Sequence, residues 1–467
     1  MKRILSFLIY VLIIFCTACT SSENSTEQSS SGTKSNLPTY YYSAEGSGMM
    51  FYIIERYNKY CKRNGEYENQ IELVKFESDK VMYDKLSTEV MTGAGPDILS
   101  LDLLLPFEKL IDNGSLADIN ELIENDTDED KINLDEYNKA IMNAGVFDGK
   151  RYIVPMLYNF DIMISSKNIL DKFSVEYKQG DSLTYSSFAE KFKNYFANPD
   201  GFSFLTSSDS RHGRKSVFYK FLNDYVDFEN KTTDFDTDEF RNSLDVMTEI
   251  YRNSTEENYI ILDNDNKDVE WGESKNLMFD ASFSDCASPR VIERLYRCNF
   301  VGYIEKPVIF NGLSITKNSG KAYMQYAVAI NNNSKHKETA FKFVKYLLSE
   351  RTQEYYTGGL SGSDYVGDTS AIPVRNEAFE LNKKLGLNEC DDYGNTIKVH
   401  EEYSDFTKVY LDMLNNINKV SIYPNGNFSY YDINVLKSSV DDYLDGKISK
   451  EKFIRQLTSS TEIYLKE

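Results

Sequence analysis

The sequence predicts an α/β fold that opens with a parallel sheet. Strand-like runs alternate with amphipathic helical patterns between residues 38 and 101, and each helical pattern is long enough to cross back over a sheet. The chain of 467 residues is 41% hydrophobic and 27% charged, which is close to the globular norm. These totals exclude a wholly disordered chain and a polytopic membrane protein, and the length predicts two to three domains.

The first predicted unit consists of a strand, a turn and a helix. Thr39–Ser43 is a β-prone run rich in tyrosine, and Glu45–Gly48 is a loop. A helix then follows, because apolar residues recur on one helical face. These residues are Met50, Ile53, Ile54, Tyr57 and Cys61.

The second unit repeats this order. Ile71–Phe76 alternates apolar and polar residues for most of its length, as a half-buried strand does. Asp79 can cap the next helix, which carries Met82, Leu86 and Val90 at intervals of four. The sequence therefore predicts a second crossover helix in the same sheet.

A glycine-rich stop at Gly93–Pro96 precedes the third predicted strand, Asp97–Leu101. Ligands of parallel sheets collect beyond the carboxyl ends of the strands. The loops that we expect to face a ligand are therefore Ala44–Gly48, Glu77–Lys80 and Asp102–Leu105.

Later elements are predicted from the same two patterns, the recurrence of apolar residues on one helical face and the alternation of apolar and polar residues in strands. They are a sheet-like region at Tyr152–Tyr158, a helix at Thr237–Tyr251, a buried strand at Tyr326–Ile330 and a last helix from about Ser449 to Leu465. Ser334 is the predicted cap of the helix after the buried strand, and that helix should end near Ser349.

The charge balance limits the class of partner. Acidic residues number 73 against 52 lysines and arginines, and no segment concentrates the basic residues. Nucleic acid is therefore excluded as the main partner, and a neutral or cationic ligand is favoured. The 35 tyrosines supply flat apolar faces with a polar tip.

The N-terminus has the layout of an export signal. Met1–Arg3 is a positive head, and Ile4–Phe15 is an apolar run of twelve residues, too short for a membrane span of about 20 residues. The junction at Cys16–Cys19 resembles a bacterial lipobox, although Cys16 stands where an aliphatic residue is usual. This resemblance implies a lipoprotein signal peptide over residues 1–18 and a lipid on Cys19. An ordinary secretory signal is the alternative.

Residues 19–37 are predicted to form a flexible Ser-rich tether. Thr20–Leu37 holds seven serines in eighteen residues, and its only large apolar residue is the last one. Such a stretch cannot bury enough apolar surface to offset the entropy of ordering it. Cleavage removes Lys2 and Arg3 and no acid, so the net charge changes from −21 to −23. We expect a lipid-anchored protein on the extracellular or periplasmic side of the cell membrane.

No metal or cofactor site is predicted. The four cysteines beyond the anchor include no CxxC pair; Cys286 and Cys298 can form a disulfide, and free buried thiols are the alternative. The acidic run Asp126–Asp135 does not fit a calcium loop, because its sixth position is Lys131 and its twelfth is Tyr137.

Several segments together resemble a known family. Gly93–Leu99, Gly149–Pro155, Ala329–Val344, Ala371–Arg375 and Gly446–Ser449 stand in the order and at the spacing of extracellular solute-binding proteins, the ligand receptors of ABC importers. The carbohydrate branch typified by maltodextrin-binding protein is the most similar. The resemblance spans about Pro38 to Leu465, and its middle third matches only in outline.

The resemblance implies an α/β, two-lobed, periplasmic-binding-protein-like type II fold with a hinge and an inter-lobe cleft. Lobe I would comprise residues 38–157 plus 322–372, and lobe II residues 158–321 plus 373–467. The ligand would select a closed state that is rare when the cleft is empty, because only that state lets both lobes contact it.

Seven residues are candidate ligand contacts. Glu45, Ser47 and Asp102 lie in loops at the carboxyl ends of predicted strands, with turn or capping roles as the alternative. The resemblance adds Tyr158, Asp209, Phe283 and Tyr430. For Tyr158 the alternative is core packing, and for Asp209 it is a solvated loop.

The sequence contains no GxSxG, HExxH or P-loop motif, so a binding protein is favoured over an enzyme. We expect a monomer without a cofactor that captures a small solute, an oligosaccharide above all, and delivers it to the permease subunits of an ABC importer. The alternatives are a ligand-sensing protein for a membrane sensor and a surface glycoside hydrolase.

Overall fold

The computed structural model describes most of the chain after the predicted tether. The described residues are 36–44, 48–101, 105–200, 203–207, 213–254, 276–280, 307–317, 320–356, 371–390, 396–399, 404–422 and 429–466.

The first predicted strand–helix–strand unit is confirmed. Strand β1 (Thr39–Ser43) is followed by helix α1 (Met49–Asn64), and strand β2 (Glu72–Phe76) pairs with β1 in parallel. Helix α1 buries the apolar face that the sequence predicts. It ends at Gly65, whose φ of 77° lies in the left-handed region that glycine adopts without steric cost.

The second unit differs from the prediction at its helix cap. Helix α2 (Asp79–Met91) is capped by Ser78, whose Oγ accepts a hydrogen bond from the Val81 N–H at 3.3 Å. The predicted cap, Asp79, instead lies in the first helical turn, where the helix dipole favours its negative charge. Strand β3 covers only Ile98–Ser100. Asp97 before it accepts the Thr39 N–H at 2.7 Å and so links β3 to β1.

Short helices and one hairpin complete the N-terminal part of the fold. They are α3 (Phe107–Asp112), α4 (Ile119–Asn125), α5 (Lys139–Asn143), β4 (Val146–Phe147) and β5 (Lys150–Arg151).

The middle of the chain builds a five-stranded sheet. Its strand order is β8-β13-β7-β12-β9, and the bounds of these strands are given in the next sentence. The elements are β6 (Leu157–Phe160), β7 (Ile162–Ser166), α6 (Lys167–Lys172), β8 (Asp181–Thr184), α7 (Tyr185–Lys191), α8 (Lys193–Ala197), β9 (Ser203–Ser207), α9 (Gly213–Asn223), β10 (Val226–Asp227), β11 (Thr232–Thr233), α10 (Asp238–Asn253), β12 (Asn276–Asp280) and β13 (Pro307–Ser314).

The C-terminal third first pairs with strands of the N-terminal part and then packs its last helices against the middle of the chain. Its elements are β14 (Gly320–Gln325), β15 (Val328–Ile330), α11 (Lys337–Leu348), α12 (Glu350–Tyr356), β16 (Ile372–Pro373), α13 (Asn376–Leu387), β17 (Asn388–Cys390), β18 (Thr396–Val399), α14 (Ser404–Asn415), β19 (Ile417–Ser421), a π-helical turn (Asp432–Leu436), α15 (Lys437–Leu444) and α16 (Lys450–Lys466). Strand β15 pairs with β3 in antiparallel.

Two predictions about this third are corrected. The predicted strand Tyr326–Ile330 is shortened to β15 (Val328–Ile330), because Tyr326, with a φ of 52°, breaks the extended backbone between β14 and β15. Helix α11 begins at Lys337 with His336 at its N-cap position, so Ser334 is not the cap. The Ser334 hydroxyl instead donates to Asp97 at 2.6 Å. The predicted end of the helix at Ser349 is confirmed.

Four strands form a sheet through which the chain crosses between its two halves. We call it the hinge sheet, and its order is β16-β6-β14-β19. Strand β6 runs into β7 through the single residue Asp161, and β14 follows β13. The prediction of a strand from Tyr152 is partly wrong, because β6 begins at Leu157 and Val154 makes only an isolated bridge to Val328.

The two largest hydrophobic cores of the described residues are built from different parts of the chain. The first core takes residues from the N-terminal elements, from α11 and from α14. The second takes residues from the middle of the chain and from the C-terminal helices, including Tyr431 and Leu457. Helix α14 packs into the first core through Phe406 and Tyr410, although the predicted division assigns residues 373–467 to lobe II. The lobe boundaries therefore stay a prediction.

A buried lysine organises the acidic run that the sequence excludes as a calcium loop. Lys345 Nζ lies 2.9 Å from Asp126 and 3.0 Å from Asp128, and it also contacts Asp130. The ammonium group thus stands at the centre of the three carboxylates, where a bound cation would otherwise be needed. The protein's own lysine therefore offsets part of the negative charge of this loop.

No described helix is both long enough and apolar enough to cross a membrane. No group of His, Cys, Asp and Glu side chains among the described residues could hold a metal ion. Cys61 is a buried free thiol, whereas Cys19, Cys286 and Cys298 lie outside the described residues.

Candidate ligand-binding site

A cavity of about 650 Å³ lies against the hinge sheet. We call it the central cavity. One wall comes from α3, α5 and the β4 hairpin, and the opposite wall from α9, the β10–β11 hairpin and the start of the C-terminal helices. Strands β14 and β19 line its floor. Both halves of the chain therefore contribute to one cavity at the point where the chain crosses between them.

The floor is fixed by an ion pair on the crossing itself. Tyr323 on β14 lies directly opposite Asn159 on β6. The Tyr323 hydroxyl donates to Asp161 at 3.1 Å, and Lys220 Nζ lies 2.9 Å from the other Asp161 oxygen. A Cβ atom at Gly312 would come within 2.3 Å of the Asp161 carboxyl carbon, so only glycine fits there.

A second ion cluster joins the cavity floor to the end of α9. Asp224 contacts Lys321 and lies 3.3 Å from Lys419, and the Tyr185 hydroxyl donates to it at 2.8 Å. Burial alone would raise the pKa of Asp224, but the two ammonium groups outweigh burial and hold that pKa below its ordinary value. The carboxylate is therefore ionised at neutral pH and supplies one negative charge that both ammonium groups share.

A third carboxylate has no such cationic partner. Asp432 is buried, with one oxygen accepting from the Ser429 N–H and hydroxyl, both at 2.9 Å. Its other oxygen accepts from Asn223 Nδ2 at 3.0 Å. Burial raises the pKa of Asp432 to about 6, despite these hydrogen bonds. A carboxyl group in a cavity wall whose pKa is raised by burial is a candidate functional group.

Both aromatic and polar side chains line the cavity. Its aromatic members are Phe147, Tyr219, Tyr225, Phe228 and Tyr323. Pockets for small polar solutes combine apolar or aromatic faces with a few placed polar groups. The central cavity has both, together with carboxylate and amide acceptors for hydroxyl or amine donors.

A second, smaller groove of about 470 Å³ lies beside α3. We call it the side groove. Lys109 lines it and places Nζ 4.3 Å from the ring centroid of Tyr464, a cation–π distance. Tyr430 also lines this groove, and its ring lies 6.4 Å from that of Tyr464.

The predicted contacts are placed as follows. Tyr430 lines the side groove, not the central cavity. Tyr158 is buried in β6, and its hydroxyl accepts a hydrogen bond from Asn138 Nδ2 at 3.4 Å. Its side chain is on the opposite face of the strand from that of Asn159. Five predicted contacts lie outside the described residues, namely Glu45, Ser47, Asp102, Asp209 and Phe283. All seven stay predictions.

Sequence patterns missed the charged residues of the central cavity. One signal was available for Asp161, because a lone carboxylate between two apolar strands implies a buried partner. Asp224 and Lys321 carry no local signal, since they are 97 positions apart and meet only through the fold. Asp432 is hidden in a helical pattern that looks ordinary.

The comparisons with known proteins now decide the family. The sequence profile of the bacterial extracellular solute-binding proteins matches residues 53–363, about two thirds of the chain. The chain belongs to this family. No curated protein matches it in sequence.

Solved structures of sugar-binding proteins are similar to the solute-binding protein described here. An ABC substrate-binding protein from Listeria monocytogenes, solved with cycloalternan, is 15% identical with a TM-score of 0.56, and the match covers 92% of this chain and 99% of that one. The sugar-binding protein from Xanthomonas citri is 14% identical with a TM-score of 0.56, over 92% and 97% of the two chains. A cyclic α-maltosyl-1,6-maltose binding protein from Arthrobacter globiformis is 14% identical with a TM-score of 0.52, over 92% and 99%.

At these identities the likeness concerns the fold. The solute-binding protein has the two-lobed α/β type II fold of the periplasmic binding proteins, as its sequence predicts. The two hydrophobic cores and the crossings through the hinge sheet are the features of the chain that correspond to that architecture.

Proposed function

We propose that this solute-binding protein captures an oligosaccharide in the central cavity and delivers it unchanged to an ABC importer. The observation that supports this most directly is the cavity itself, which both halves of the chain line at the hinge sheet. Its volume of about 650 Å³ suits a short oligosaccharide, since pockets for small ligands span roughly 300–1,000 Å³. The sugar ligands of the similar solved structures agree with this choice.

Closure of the two lobes would supply the signal to the transporter. A solute that contacts both cavity walls stabilises only the state in which the walls are close together. The importer can then distinguish loaded from empty protein by shape.

The test is a melting-temperature screen of the purified protein against a panel of oligosaccharides, with the soluble fraction analysed by chromatography. We expect at least one sugar to raise the melting temperature and to be recovered intact. Consumption of the sugar would favour the alternative of a surface glycoside hydrolase. Failure of every sugar would contradict the oligosaccharide assignment.

We further propose that the lipid on Cys19 anchors the protein to the cell membrane. The lipobox-like junction and the serine-rich segment after it support this proposal. We expect Cys19→Ala to move the protein from the membrane fraction to the medium, whereas the matched variant Cys16→Ala should stay membrane-bound. Retention of Cys19→Ala in the membrane fraction would contradict the anchor.

The runner-up function is a ligand sensor for a membrane receptor. Deletion of the importer permease genes separates the two functions. We expect growth on the bound sugar to stop in the importer hypothesis, and to continue with an altered transcriptional response in the sensor hypothesis.

A further inference from the structure

Helix α3 contacts the other half of the molecule at two points, which we call the α3 contacts. Asp112, the last residue of α3, lies 2.6 Å from Lys231 Nζ in the turn of the β10–β11 hairpin. Lys109, one turn earlier in α3, places its ammonium group 4.3 Å from the ring centroid of Tyr464 on α16. The first contact is an ion pair, and the second is a cation–π contact.

The residues that make the α3 contacts are fixed in different hydrophobic cores. Helix α3 is held by Phe107 and Leu110, which are buried in a third core together with Leu86 of α2. Tyr464 belongs to the second core, as does Val226 at the start of the β10–β11 hairpin. The α3 contacts therefore connect separately packed parts of the protein across the gap that holds the central cavity and the side groove.

Neither contact uses a residue that lines the central cavity. Asp112 and Lys231 line neither cavity, and Lys109 and Tyr464 line only the side groove. Both contacts are made by protein groups alone, so they can form before a solute enters. They stabilise the state in which the two cavity walls are close together, and the solute supplies only the rest of that stabilisation.

Lys231 occupies a backbone position that suits glycine better. Its φ of 57° lies in the left-handed region, which is unfavourable for a residue with a Cβ atom. The turn before it is fixed by Asn230, whose N–H and Nδ2 donate to the Asp227 carboxylate at 2.9 Å and 2.8 Å. The lysine side chain is thus kept at a backbone cost, and its ion pair among the described residues is the one with Asp112.

Both α3 contacts are weak compared with the packing of a core. Asp112 and Lys231 are 56% and 52% exposed, so water screens their attraction. An exposed ion pair changes an equilibrium constant by about fivefold at most, and a cation–π contact near the surface changes it by about two- to fivefold. Contacts of this strength favour closure of the two walls without preventing a solute from entering.

We propose that α3 is a latch, whose contacts with Lys231 and Tyr464 hold part of the empty protein closed and so raise the affinity for the solute without touching it. This inference rests on the proposed function and adds a means of regulating it. Lys109 and Asp112 are then positioning residues. The apparent affinity of a solute falls in proportion to the fraction of protein that is competent to bind it. Weakening the latch should therefore lower the affinity although every group of the central cavity is retained.

The first test measures the solute-free protein by single-molecule energy transfer between two dyes. The dyes are placed at Lys62 on α1 and Lys452 on α16, which are both exposed. The double variant Lys109→Gln, Asp112→Asn removes both α3 contacts and leaves the net charge unchanged. We expect the ratio of closed to open molecules to fall by at least about threefold, the effect of two weak contacts.

A matched double variant controls for the loss of the same two kinds of contact elsewhere. Lys85→Gln, Asp84→Asn removes an ion pair with Lys80 and a cation–π contact with Phe76. These contacts lie within α2 and the neighbouring strand β2, so they do not join the two halves. The control variant should leave the ratio of closed to open molecules unchanged.

Two further changes separate a latch from a structural role. Asp112→Lys places two cations against each other and should open the empty protein, whereas the swap Asp112→Lys, Lys231→Asp should restore most of the parental ratio. Lys231→Gly relieves the left-handed backbone, so it should lower the closed fraction while the melting temperature stays nearly unchanged. A melting curve of every variant controls for folding.

The second test is calorimetric titration with maltotriose, which the double variant Lys109→Gln, Asp112→Asn should bind about three- to tenfold more weakly than the parent. An empty parent that is fully open, an unchanged ratio in the double variant, or a ratio that the swap does not restore overturns the latch. An unchanged affinity in a variant with fewer closed molecules overturns its role in capture. Because the first test uses no sugar, failure of maltotriose to bind counts against the proposed function and leaves the result for the latch in force.

Discussion

The described part of the protein contains two ion clusters of inverse composition, and each has one buried ion pair, Lys345 with Asp126 in one and Lys321 with Asp224 in the other. In the acidic loop, one lysine, Lys345, holds three carboxylates, of which Asp128 and Asp130 are 56% and 78% exposed. In the central cavity, one carboxylate, Asp224, holds two lysines, and its pair with Lys321 is only 7–8% exposed on either side. The first cluster holds an acidic loop against helix α11, whereas the second places a buried ion pair in the floor of the central cavity.

The difference shows that the same chemistry can have opposite consequences for stability. An exposed carboxylate that loses its partner is rehydrated at little cost. A buried lysine that loses its partner keeps an uncompensated charge away from water. Replacing the central residue of each cluster tests this difference in stability.

The largest effect is expected for Asp224→Asn. It leaves Lys321 buried without its counter-charge, so we expect the free energy of unfolding to fall by about 3–5 kcal/mol. Urea denaturation measures this loss. The matched control is Asp112→Asn, which removes an ion pair to Lys231 whose members are 56% and 52% exposed, and which should cost less than about 1 kcal/mol. Similar losses in the two variants would contradict the buried role of Asp224.

A smaller loss is expected for Lys345→Met, about 2–3 kcal/mol at pH 7, because only Asp126 is left buried. Burial raises the pKa of Asp126, but the Asp128 N–H and Lys345 outweigh it and lower that pKa overall. A carboxyl whose pKa is lower in the folded state stabilises the fold above its ordinary pKa of about 4, and this contribution is lost as the pH falls. The difference between variant and parent should therefore shrink below about pH 4. A loss that does not depend on pH would indicate packing, not charge, as its cause.

The smallest effect is expected for Asp432→Asn, and its sign is reversed. The folded-state pKa of about 6 lies above the ordinary value of 3.8, so ionisation of Asp432 disfavours the folded state. Stability should be full below about pH 4 and decline as the pH rises toward 6. Tyr219 on α9 and Tyr464 on α16 face this carboxylate, and neither offers a positive charge.

We therefore expect the free energy of unfolding of Asp432→Asn to rise by about 1–2 kcal/mol relative to that of the parent between pH 4 and pH 7. Thermal unfolding at a series of pH values measures it, and Asp234→Asn serves as the control. If the difference in stability between variant and parent does not change with pH, the charge of Asp432 does not destabilise the folded state. A gain would mean that the parent keeps a costly carboxylate in its cavity, as functional residues often do.

The local elements could be predicted from the sequence because their signals are local. The apolar face of α1 and the parallel pairing of β1 and β2 follow from periodicity within about forty residues. Cap positions were less certain, because Ser78 and Asp79 are both good capping residues, and only the backbone geometry selects Ser78.

The central cavity could not be predicted in the same way. Lys321 belongs to no recognisable motif in the sequence, although its ion pair with Asp224 is the centre of the cavity floor. Asn223 and Asp432 are 209 positions apart, and nothing in either segment indicates the other. Positions that meet only through tertiary structure leave no periodic trace in a single sequence.

The hinge sheet has a mechanical consequence. Strands β6, β14 and β19 lie side by side in it, and along the chain each precedes or follows elements of the second core. Two lobes joined by three adjacent strands resist sliding and stretching, because either motion would break the hydrogen bonds between these strands. One rotational degree of freedom remains soft, so a single distance between two dyes, one on each body, should report the whole motion.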